Sequence, residues 1–251
     1  MAERSTSALR LTDVSKAFGG LSAVDRVSLA VAPGERRVII GPNGAGKTTL
    51  FSLISGEQPL TEGRIELFGH DVTGLAPHRR AALGLARTYQ ITNLFPKLTV
   101  LQNCLLAVQG LAPSKLHLHR ALERYTAHFA RARSMLDAVR LRDREADEVR
   151  NLSHGEQRQL EIALAVSGNP RLLLLDEPTA GLSPAESQLM TALLKRLDPE
   201  ITILMIEHDI DVAFEVTDRV TVLHYGRVVA DGHATDVKAN PLVQEIYLGV
   251  Q

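Results

Sequence analysis

The chain has 251 residues, of which 45% are hydrophobic and 23% are charged, a globular composition that can bury a core in one large domain or two smaller lobes. The formal net charge of -1 excludes a broad basic surface that would hold a nucleic-acid backbone unaided. The single cysteine, Cys104, excludes an internal disulfide and a multi-cysteine metal cluster, and apolar runs such as Ile201 to Ile206 are too short to cross a bilayer of about 30 Å.

The first part of the chain predicts strands and turns. From Leu9 to about Leu67, β-branched and alternating stretches are separated by pairs such as Gly19-Gly20 and Pro33-Gly34, which are typical of turns. Within this part, Lys47 to Ile54 is expected to be helical. From Val100 to about Arg150 the sequence becomes charged and helix-favouring, which predicts an inserted helical lobe.

Strand and helix patterns alternate in the rest of the chain. The predicted elements are a helix from about Gly155 to Ser167, a buried strand from Leu172 to Leu175, a helix near Pro184 to Leu197, a strand from Ile201 to Ile206, a short helix and the hairpin RVTVLHYGRVVADG. Such alternation implies a parallel sheet with helices on both faces.

The stretch GPNGAGKTT stands between a predicted strand and a predicted helix and matches the pattern G-x-x-x-x-G-K-[ST]. Glycines let the backbone N–H groups point inward, and the helix N-terminus adds a positive dipole, so the loop is suited to hold phosphate groups. Lys47 is expected to reach the β and γ phosphates, and the Thr48 hydroxyl to bind Mg²⁺. The alternative is a flexible glycine-rich turn. The candidate nucleotide-binding residues here are Gly41, Pro42, Asn43, Gly44, Ala45, Gly46, Lys47, Thr48 and Thr49.

Two carboxylates follow the apolar stretch RLLLL: Asp176 and Glu177. Ligands of a parallel α/β sheet gather at the carboxyl ends of its strands, so Asp176 is expected beside the phosphate loop, where it would help to hold Mg²⁺. Glu177 would face the γ phosphate and polarise an attacking water. The alternative is a pair of acids that cap a surface strand.

A third predicted strand, ITILMI, is followed by Glu207-His208-Asp209. Asp209 is a good N-cap residue and is expected to start a helix. His208 ends a predicted core strand of the same sheet, where it would hydrogen-bond the γ phosphate. A lone histidine is more often structural than catalytic, so both roles stay open from these residues.

The stretch LSHGE, from Leu152 to Glu156, opens a predicted helix. The simplest interpretation is a capping box, in which Ser153 is the N-cap and Glu156 reaches back to the free N–H. A helix N-terminus with a serine and a glycine is also an anion site.

Together these motifs resemble the ATP-binding subunits of ABC transporters over essentially the whole chain. The family signature is LSGGQ, and this sequence departs from it at His154 and Glu156. In the family, the signature of one subunit closes over ATP held by the phosphate loop of the other. The resemblance therefore implies that Ser153 and Gly155 contact the γ phosphate bound by a second subunit. Glu156 adds a negative charge there unless its carboxylate turns back into the capping box.

Other site residues follow from the same resemblance. Phe18 matches the aromatic residue that stacks on adenine, whereas composition alone would place it in the core. Gln90 matches the glutamine that contacts Mg²⁺ or the water and connects to the helical lobe. Glu177 matches the catalytic glutamate, and His208 matches the switch histidine.

The D-loop departs from the family pattern. Where many relatives have SALD, this chain has AGLS at Ala180 to Ser183, so a serine stands where the family's aspartate usually makes a contact between subunits. Ser183-Pro184-Ala185-Glu186 instead predicts a helix start, with an N-cap serine, a proline at the first helical position and a glutamate at the third.

The fold that the resemblance implies is an α/β P-loop NTPase (RecA-like) core with a mixed sheet, an antiparallel β subdomain and an inserted α-helical subdomain. Residues 1–251 would form a single ABC ATPase domain. Within it, residues 1–92 and 157–251 would make the catalytic and β lobe, and residues 93–156 the helical lobe with the signature.

Several stretches resemble the ATPase subunits of branched-chain amino acid importers and their relatives for urea and amides: FGGLSAVD, GLARTYQ, LFPKLTV, LSHGEQRQLEIALA, IEHDIDVAFEVTDRVTVLHYG and EIYLG. The implied partners are transmembrane permease subunits, a second ATPase subunit that is identical or paralogous, and indirectly a solute-binding protein, with no nucleic acid. The implied cofactors are ATP and Mg²⁺, and the implied location is the cytoplasmic face of the membrane.

The segment QITNLFPKLTVLQ, from Gln90 to Gln102, is a candidate surface for docking of the membrane subunit. The alternative is that Leu94, Phe95 and Leu98 belong to the core of the lobe. Two rival functions also stay open: a transport ATPase for another substrate, such as the lipopolysaccharide-export type, and a soluble ABC ATPase that remodels DNA, ribosomes or iron-sulfur scaffolds. An ordinary P-loop kinase or GTPase does not explain LSHGE.

Overall fold

A computed structural model of the protein describes residues 7–88, 94–111 and 126–248. The strands are β1 (Leu9–Phe18), β2 (Leu21–Val31), β3 (Arg36–Ile40), β4 (Glu62–Leu67), β5 (His70–Asp71), β6 (Leu85–Arg87), β7 (Leu172–Asp176), β8 (Thr202–Ile206), β9 (Arg219–His224) and β10 (Arg227–His233). The helices are α1 (Lys47–Ser55), α2 (Pro77–Ala82), α3 (Val100–Leu111), α4 (Thr126–Ala138), α5 (His154–Val166), α6 (Pro184–Arg196), α7 (Ile210–Val216), α8 (Ala234–Lys238) and α9 (Pro241–Leu248).

The strands form two sheets. One is four-stranded and antiparallel in the order β2-β1-β4-β5, and the other is six-stranded in the order β10-β9-β3-β8-β7-β6. In the second sheet all neighbours are parallel except β10, which forms an antiparallel hairpin with β9. The predicted mixed sheet and the predicted antiparallel β subdomain are both confirmed.

Strands β7 and β8 are buried along their whole length because the sheet is covered on both faces. Successive side chains of a strand point to opposite faces, and the two buried clusters of the molecule divide these strands accordingly. Leu172 and Leu174 belong to one cluster, and Leu173 and Leu175 belong to the other. The unbroken apolar runs of these strands are typical of such a doubly covered parallel sheet.

The predicted helical insertion contains α3 and α4, followed by short 3-10 turns at Arg142–Arg144 and Val149–Asn151. Its buried side chains, including Cys104 and Leu136, belong to the same cluster as Leu173 of β7. The insertion therefore packs continuously onto one face of the large sheet, and its boundaries as a separate lobe stay a prediction. In the described parts of the chain, no helix has the length and apolar character needed to span a membrane.

Some elements have no counterpart in the sequence predictions, notably α2 and β6. Strand β6 has only three residues, which is too short to show a period-two pattern. Its conformation is stabilised by parallel pairing with β7, where Leu85 lies opposite Leu172. Long-range pairing, rather than local propensity, thus determines this strand.

Candidate functional site

Parallel pairing aligns the ends of three neighbouring strands. β8 lies between β3 and β7, and Ile206 at its end pairs with Ile39 on one side and with Asp176 on the other. The loop after β3, the acidic pair after β7 and His208 after β8 therefore lie at one edge of the sheet. The groups that the sequence predicts to act together meet there, as expected for the carboxyl ends of parallel strands.

The loop GPNGAGKTT is closely packed at its two outer glycines. Gly46 has a φ of 98°, in the left-handed region that favours glycine, and a Cβ there would overlap the carbonyl oxygen of Ala23 in β2. A Cβ on Gly41 would likewise overlap the carbonyl oxygen of Leu223 in β9. Such close backbone contacts on both sides argue against a flexible turn.

The turn between β9 and β10 supports the same loop. The Gly226 N–H donates to the carbonyl oxygen of Ala45 at 3.0 Å, and the Gly226 carbonyl accepts from the Asp25 N–H at 2.8 Å. Arg227 adds an ion pair to Asp25, with Nε and Oδ2 2.7 Å apart. The hairpin predicted from the sequence thus has a structural role at the phosphate loop that its sequence does not reveal.

Lys47, the first residue of α1, is 6% exposed. Its Nζ donates to the carbonyl oxygens of Gly41 at 2.7 Å and Pro42 at 3.1 Å. Burial lowers the pKa of Lys47, and the carboxylates of Glu177 and Asp176 oppose this shift. The ammonium group therefore lies against two carbonyl oxygens of the loop and is stabilised electrostatically by two acidic side chains, and an entering phosphate would be a further acceptor.

Asp176 is only 2% exposed, which excludes the alternative of a surface cap for this residue. Its Oδ2 accepts a hydrogen bond from Arg87 Nη2 at 3.1 Å. Its Oδ1 is buried and has no hydrogen-bond partner within the ranges that the structure describes. Burial raises the pKa of Asp176, and the Arg87 guanidinium opposes this shift. A buried carboxylate oxygen left open in this way fits Mg²⁺, and so does the hydroxyl of the exposed Thr48 on α1.

Arg87, which the sequence analysis did not identify, connects β6 to this carboxylate and to the end of α1. Its side chain is 7% exposed, and Nη1 lies 3.0 Å from both Glu57 Oε2 and Ser55 Oγ. The substitution Arg87→Met removes the cation and leaves the Asp176 carboxylate buried. Breaking a buried ion pair in this way is expected to lower the free energy of unfolding by about 3–5 kcal/mol, measured by urea denaturation.

The surface pair between Lys195 and Glu215 provides the matched control. The two side chains are 49% and 59% exposed, so Lys195→Met is expected to cost less than about 1 kcal/mol. Equal losses in the two variants would show that Arg87 has no special part in holding Asp176.

Glu177 and His208 are in direct contact. Glu177 follows β7 with a φ of 50°, and its N–H donates to the Ile206 carbonyl at 3.0 Å. His208 Nε2 lies 2.7 Å from Glu177 Oε1, and because a carboxylate oxygen only accepts, this ring nitrogen is the donor. The His208 side chain is 44% exposed and that of Glu177 is 19% exposed. The pair is therefore open to a ligand and to water.

Glu207, which the sequence analysis also did not identify as a site residue, fixes the backbone next to this pair. Its buried carboxylate accepts from Thr179 N at 3.0 Å, Thr179 Oγ1 at 2.7 Å and His208 N at 3.2 Å. Burial raises the pKa of Glu207, and the bonds from Thr179 oppose this shift. Glu207 thus connects the segment after Glu177 to the backbone of His208. Asp209 is the N-cap of α7, as predicted.

The capping box predicted for LSHGE is confirmed. Ser153 is the N-cap of α5, its Oγ accepts from the Glu156 N–H at 3.2 Å, and Glu156 Oε2 accepts from the Ser153 N–H at 2.8 Å. Glu156 Oε1 also pairs with Arg144 Nη1 at 3.1 Å. The Glu156 carboxylate therefore turns back into the capping box and pairs with Arg144. This is the arrangement that the resemblance to LSGGQ requires at this position.

The helix start predicted at Ser183 is confirmed, and its glutamate, Glu186, also makes contacts that were not predicted. Glu186 Oε2 accepts from the Ser183 N–H at 3.0 Å, which completes a second capping box at α6. Glu186 Oε1 accepts from Ser153 Oγ at 3.1 Å and from the Gly155 N–H at 3.2 Å. A single carboxylate thus joins the N-termini of α5 and α6.

The remaining predicted residues lie at the surface or outside the described ranges. Phe18, at the end of β1, is 48% exposed, so composition alone would misplace it in the core. Gln90 lies outside the described residues, and its contact stays a prediction. Leu94 packs against the core, whereas Phe95 is 56% exposed. Docking at this segment also stays a prediction.

Comparisons with known sequences and with solved structures all identify the same protein family. A family model described as ABC transporter matches residues 24–180. The high-affinity branched-chain amino acid transport ATP-binding protein BraF of Pseudomonas aeruginosa is 37% identical, over 96% of this chain and 97% of that protein. The ADP conformation of an ATP-binding cassette of an ABC transporter superposes with a TM-score of 0.83 at 29% identity, covering 97% of this chain and 99% of the other. A dimeric cassette in a post-hydrolysis state with ADP and phosphate superposes with a TM-score of 0.74 at 28% identity, covering 90% and 98%.

Proposed function

The chain belongs to the ABC transporter family, as an ATP-binding and ATP-hydrolysing subunit, and we propose that it powers the uptake of branched-chain amino acids. The observation that supports the chemistry is the convergence of the phosphate loop, Asp176 and the contacting pair Glu177 and His208 at one sheet edge. The observation that supports the solute is the 37% identity to BraF over nearly the whole chain.

The phosphate loop would bind the nucleotide. Its backbone N–H groups and the N-terminus of α1 form the anion site, and the buried Lys47 would transfer its hydrogen bonds from loop carbonyls to the β and γ phosphates. The exposed ring of Phe18 would stack on adenine. Asp176 Oδ1, Thr48 and Gln90 would hold Mg²⁺, which when bound neutralises charge that develops on the phosphates.

The pair of Glu177 and His208 would carry out the chemical step. Glu177 would orient the attacking water and accept its proton, because a carboxylate next to the γ phosphate is the base available there. His208 already donates to Glu177 and would also hydrogen-bond the γ phosphate. Glu207, through Thr179 and the backbone of His208, keeps the two side chains in mutual reach.

The second half of the site would come from another subunit. Ser153 and Gly155, at the N-terminus of α5, would contact the γ phosphate held by the partner's phosphate loop, so two nucleotides would lie between two subunits. The dimeric relative with ADP and phosphate supports this arrangement. Hydrolysis and phosphate release would remove the charge that holds the subunits together, and they would separate.

The membrane-spanning part would come from separate permease subunits, with this chain bound at the cytoplasmic face. The exposed Phe95 supports a docking surface there, because its backbone is fixed by the buried Asn103: the Phe95 N–H donates to Asn103 Oδ1 at 2.9 Å, and Asn103 Nδ2 donates to the Phe95 carbonyl at 3.2 Å. A large apolar side chain displayed on a fixed backbone suits an apolar partner helix. A solute-binding protein would act indirectly, through the permease.

Reconstitution tests the proposal. The tagged chain is purified from detergent-solubilised membranes with its co-purifying multi-span subunits, and the complex is placed in vesicles. We expect ATP-dependent transport of leucine, isoleucine and valine, each competing with the others. Transport of urea or an amide instead would show that branched-chain amino acids are not the solute, while the transport function itself would stand. Co-purification with nucleic acid or a soluble scaffold alone would reject transport itself.

A further inference from the structure

The two donors that the proposed function assigns to a partner's γ phosphate already have an anionic acceptor. Ser153 Oγ and the Gly155 N–H both donate to Oε1 of Glu186, at 3.1 Å and 3.2 Å. Helix N-termini bind anions in this way: a negatively charged oxygen accepts hydrogen bonds from the backbone N–H groups and from the N-cap hydroxyl. In this subunit a glutamate of the same chain takes that place.

The carboxylate is held firmly in this position. Its Oε2 accepts from both N and Oγ of Ser183, at 3.0 Å and 2.8 Å. Hydrogen bonds from the Ser183 backbone and side chain, and then from Ser153, lower the pKa of Glu186 to about 2. The group is thus an anion at any physiological pH. A Cβ on Gly155 would lie 2.7 Å from Oε1, so the close approach depends on the glycine.

His154, which stands where the family signature LSGGQ has a glycine, lies near the D-loop of the same subunit. A Cβ on Gly181 in the D-loop would be 3.5 Å from His154 Nε2, so the imidazole lies close to Gly181. The N-terminus of α5, with its donors on Ser153 and Gly155, is called the signature tip below. It lies against its own subunit at two points: His154 is close to Gly181 of the D-loop, and Glu186, in the first turn of α6, accepts from the two donors.

We propose that Glu186 is a positioning residue of the ATPase cycle, which holds the donors of Ser153 and Gly155 within the subunit and must release them before they bind the nucleotide of a second subunit. This inference rests on the proposed sandwich of two subunits. The carboxylate orders the tip in the separate subunit, and its release is part of the work of dimer formation. A neutral side chain at this position therefore makes dimerisation easier.

The substitution Glu186→Gln tests this in a Glu177→Gln background, where hydrolysis is slow. Glutamine is accepted at the third position of a capping box, so α6 keeps its start, but a neutral amide oxygen is a weaker acceptor than a carboxylate. We expect the ATP concentration for half-maximal dimerisation, measured by analytical ultracentrifugation with Mg²⁺, to fall about 3- to 10-fold. A purely structural role predicts the opposite sign, because a loosened tip would bind nucleotide less well.

The charge-matched control is Glu156→Gln. Glu156 occupies the same position in the capping box of α5, but its carboxylate faces Ser153 N and Arg144 rather than the two tip donors. We expect the ATP requirement to change less than about 2-fold in this variant. An equal fall in both variants would trace the effect to nearby charge and overturn the inference.

Different results would contradict the two-subunit sandwich and the role of Glu186. If the Glu177→Gln protein stays monomeric at saturating ATP and Mg²⁺, the proposed two-subunit sandwich is wrong, and the role of Glu186, which rests on it, is wrong as well. If that protein dimerises but Glu186→Gln leaves the ATP requirement unchanged or raises it, only the role of Glu186 is overturned.

Discussion

The substitution Glu177→Gln is expected to lower ATP turnover by about 100-fold or more, because an amide cannot accept a proton from the attacking water. Glutamine has the same shape, so the left-handed turn at φ 50° and the bond from its N–H to Ile206 are kept. Nucleotide binding is therefore retained, and dimers formed with ATP and Mg²⁺ are expected to persist. Phosphate release and gel filtration measure the two effects.

The contact with His208 strengthens the interpretation of this variant. His208 Nε2 lies 2.7 Å from Glu177 Oε1, and the amide of glutamine offers both a donor and an acceptor to the ring. The ring therefore keeps a partner, and the loss is attributable to the missing base rather than to a displaced histidine.

The control for Glu177→Gln is Glu215→Gln. Glu215 lies on α7 with its side chain 59% exposed, where it pairs with Lys195, and its neutralisation is expected to leave turnover unchanged. Near-normal phosphate release from the Glu177→Gln protein would remove Glu177 from the role of base. A monomer in ATP and Mg²⁺ would instead count against the two-subunit site.

The residues that the sequence identified at this edge of the sheet share one property: each belongs to a short pattern that follows an apolar strand. Asp176 and Glu177 follow RLLLL directly, and Lys47 and Thr48 complete a contiguous loop motif. Parallel pairing then determines that these strand ends meet, since Ile206 lies opposite both Ile39 and Asp176. Local pattern and sheet topology together were sufficient for this half of the site.

The residues that the sequence missed depend on partners that are distant along the chain. Arg87 and Asp176 are 89 positions apart, Ser153 and Glu186 are 33 apart, and Glu207 and Thr179 are 28 apart. No period or motif within either segment specifies such a pair, because the contact exists only once the strands and helices are packed. Glu186 shows this well, since its local role as a capping residue was predicted and its second contact was not.

The substitution Lys47→Ala is expected to reduce affinity for ATP about 10- to 100-fold, since a hydrogen bond to a charged group contributes about 1.5–3 kcal/mol. Lys47 is 6% exposed and donates to the Gly41 and Pro42 carbonyls. Alanine leaves these oxygens without that donor and leaves the acidic pair of Asp176 and Glu177 without the opposing charge that Lys47 supplies. Both changes make the loop less favourable for a phosphate. Titration calorimetry at constant Mg²⁺ measures the loss.

A comparison of the two variants separates binding from chemistry. Lys47→Ala should lose affinity and, as a consequence, dimers, whereas Glu177→Gln should lose turnover alone, so the order of ATP affinities is wild type and Glu177→Gln together, then Lys47→Ala. The exposed Lys195→Ala is the control for loss of one positive charge, and we expect it to bind ATP as the wild type does. Unchanged affinity in Lys47→Ala would mean that the backbone N–H groups of the loop alone hold the phosphates, and that the buried ammonium serves only to stabilise the loop.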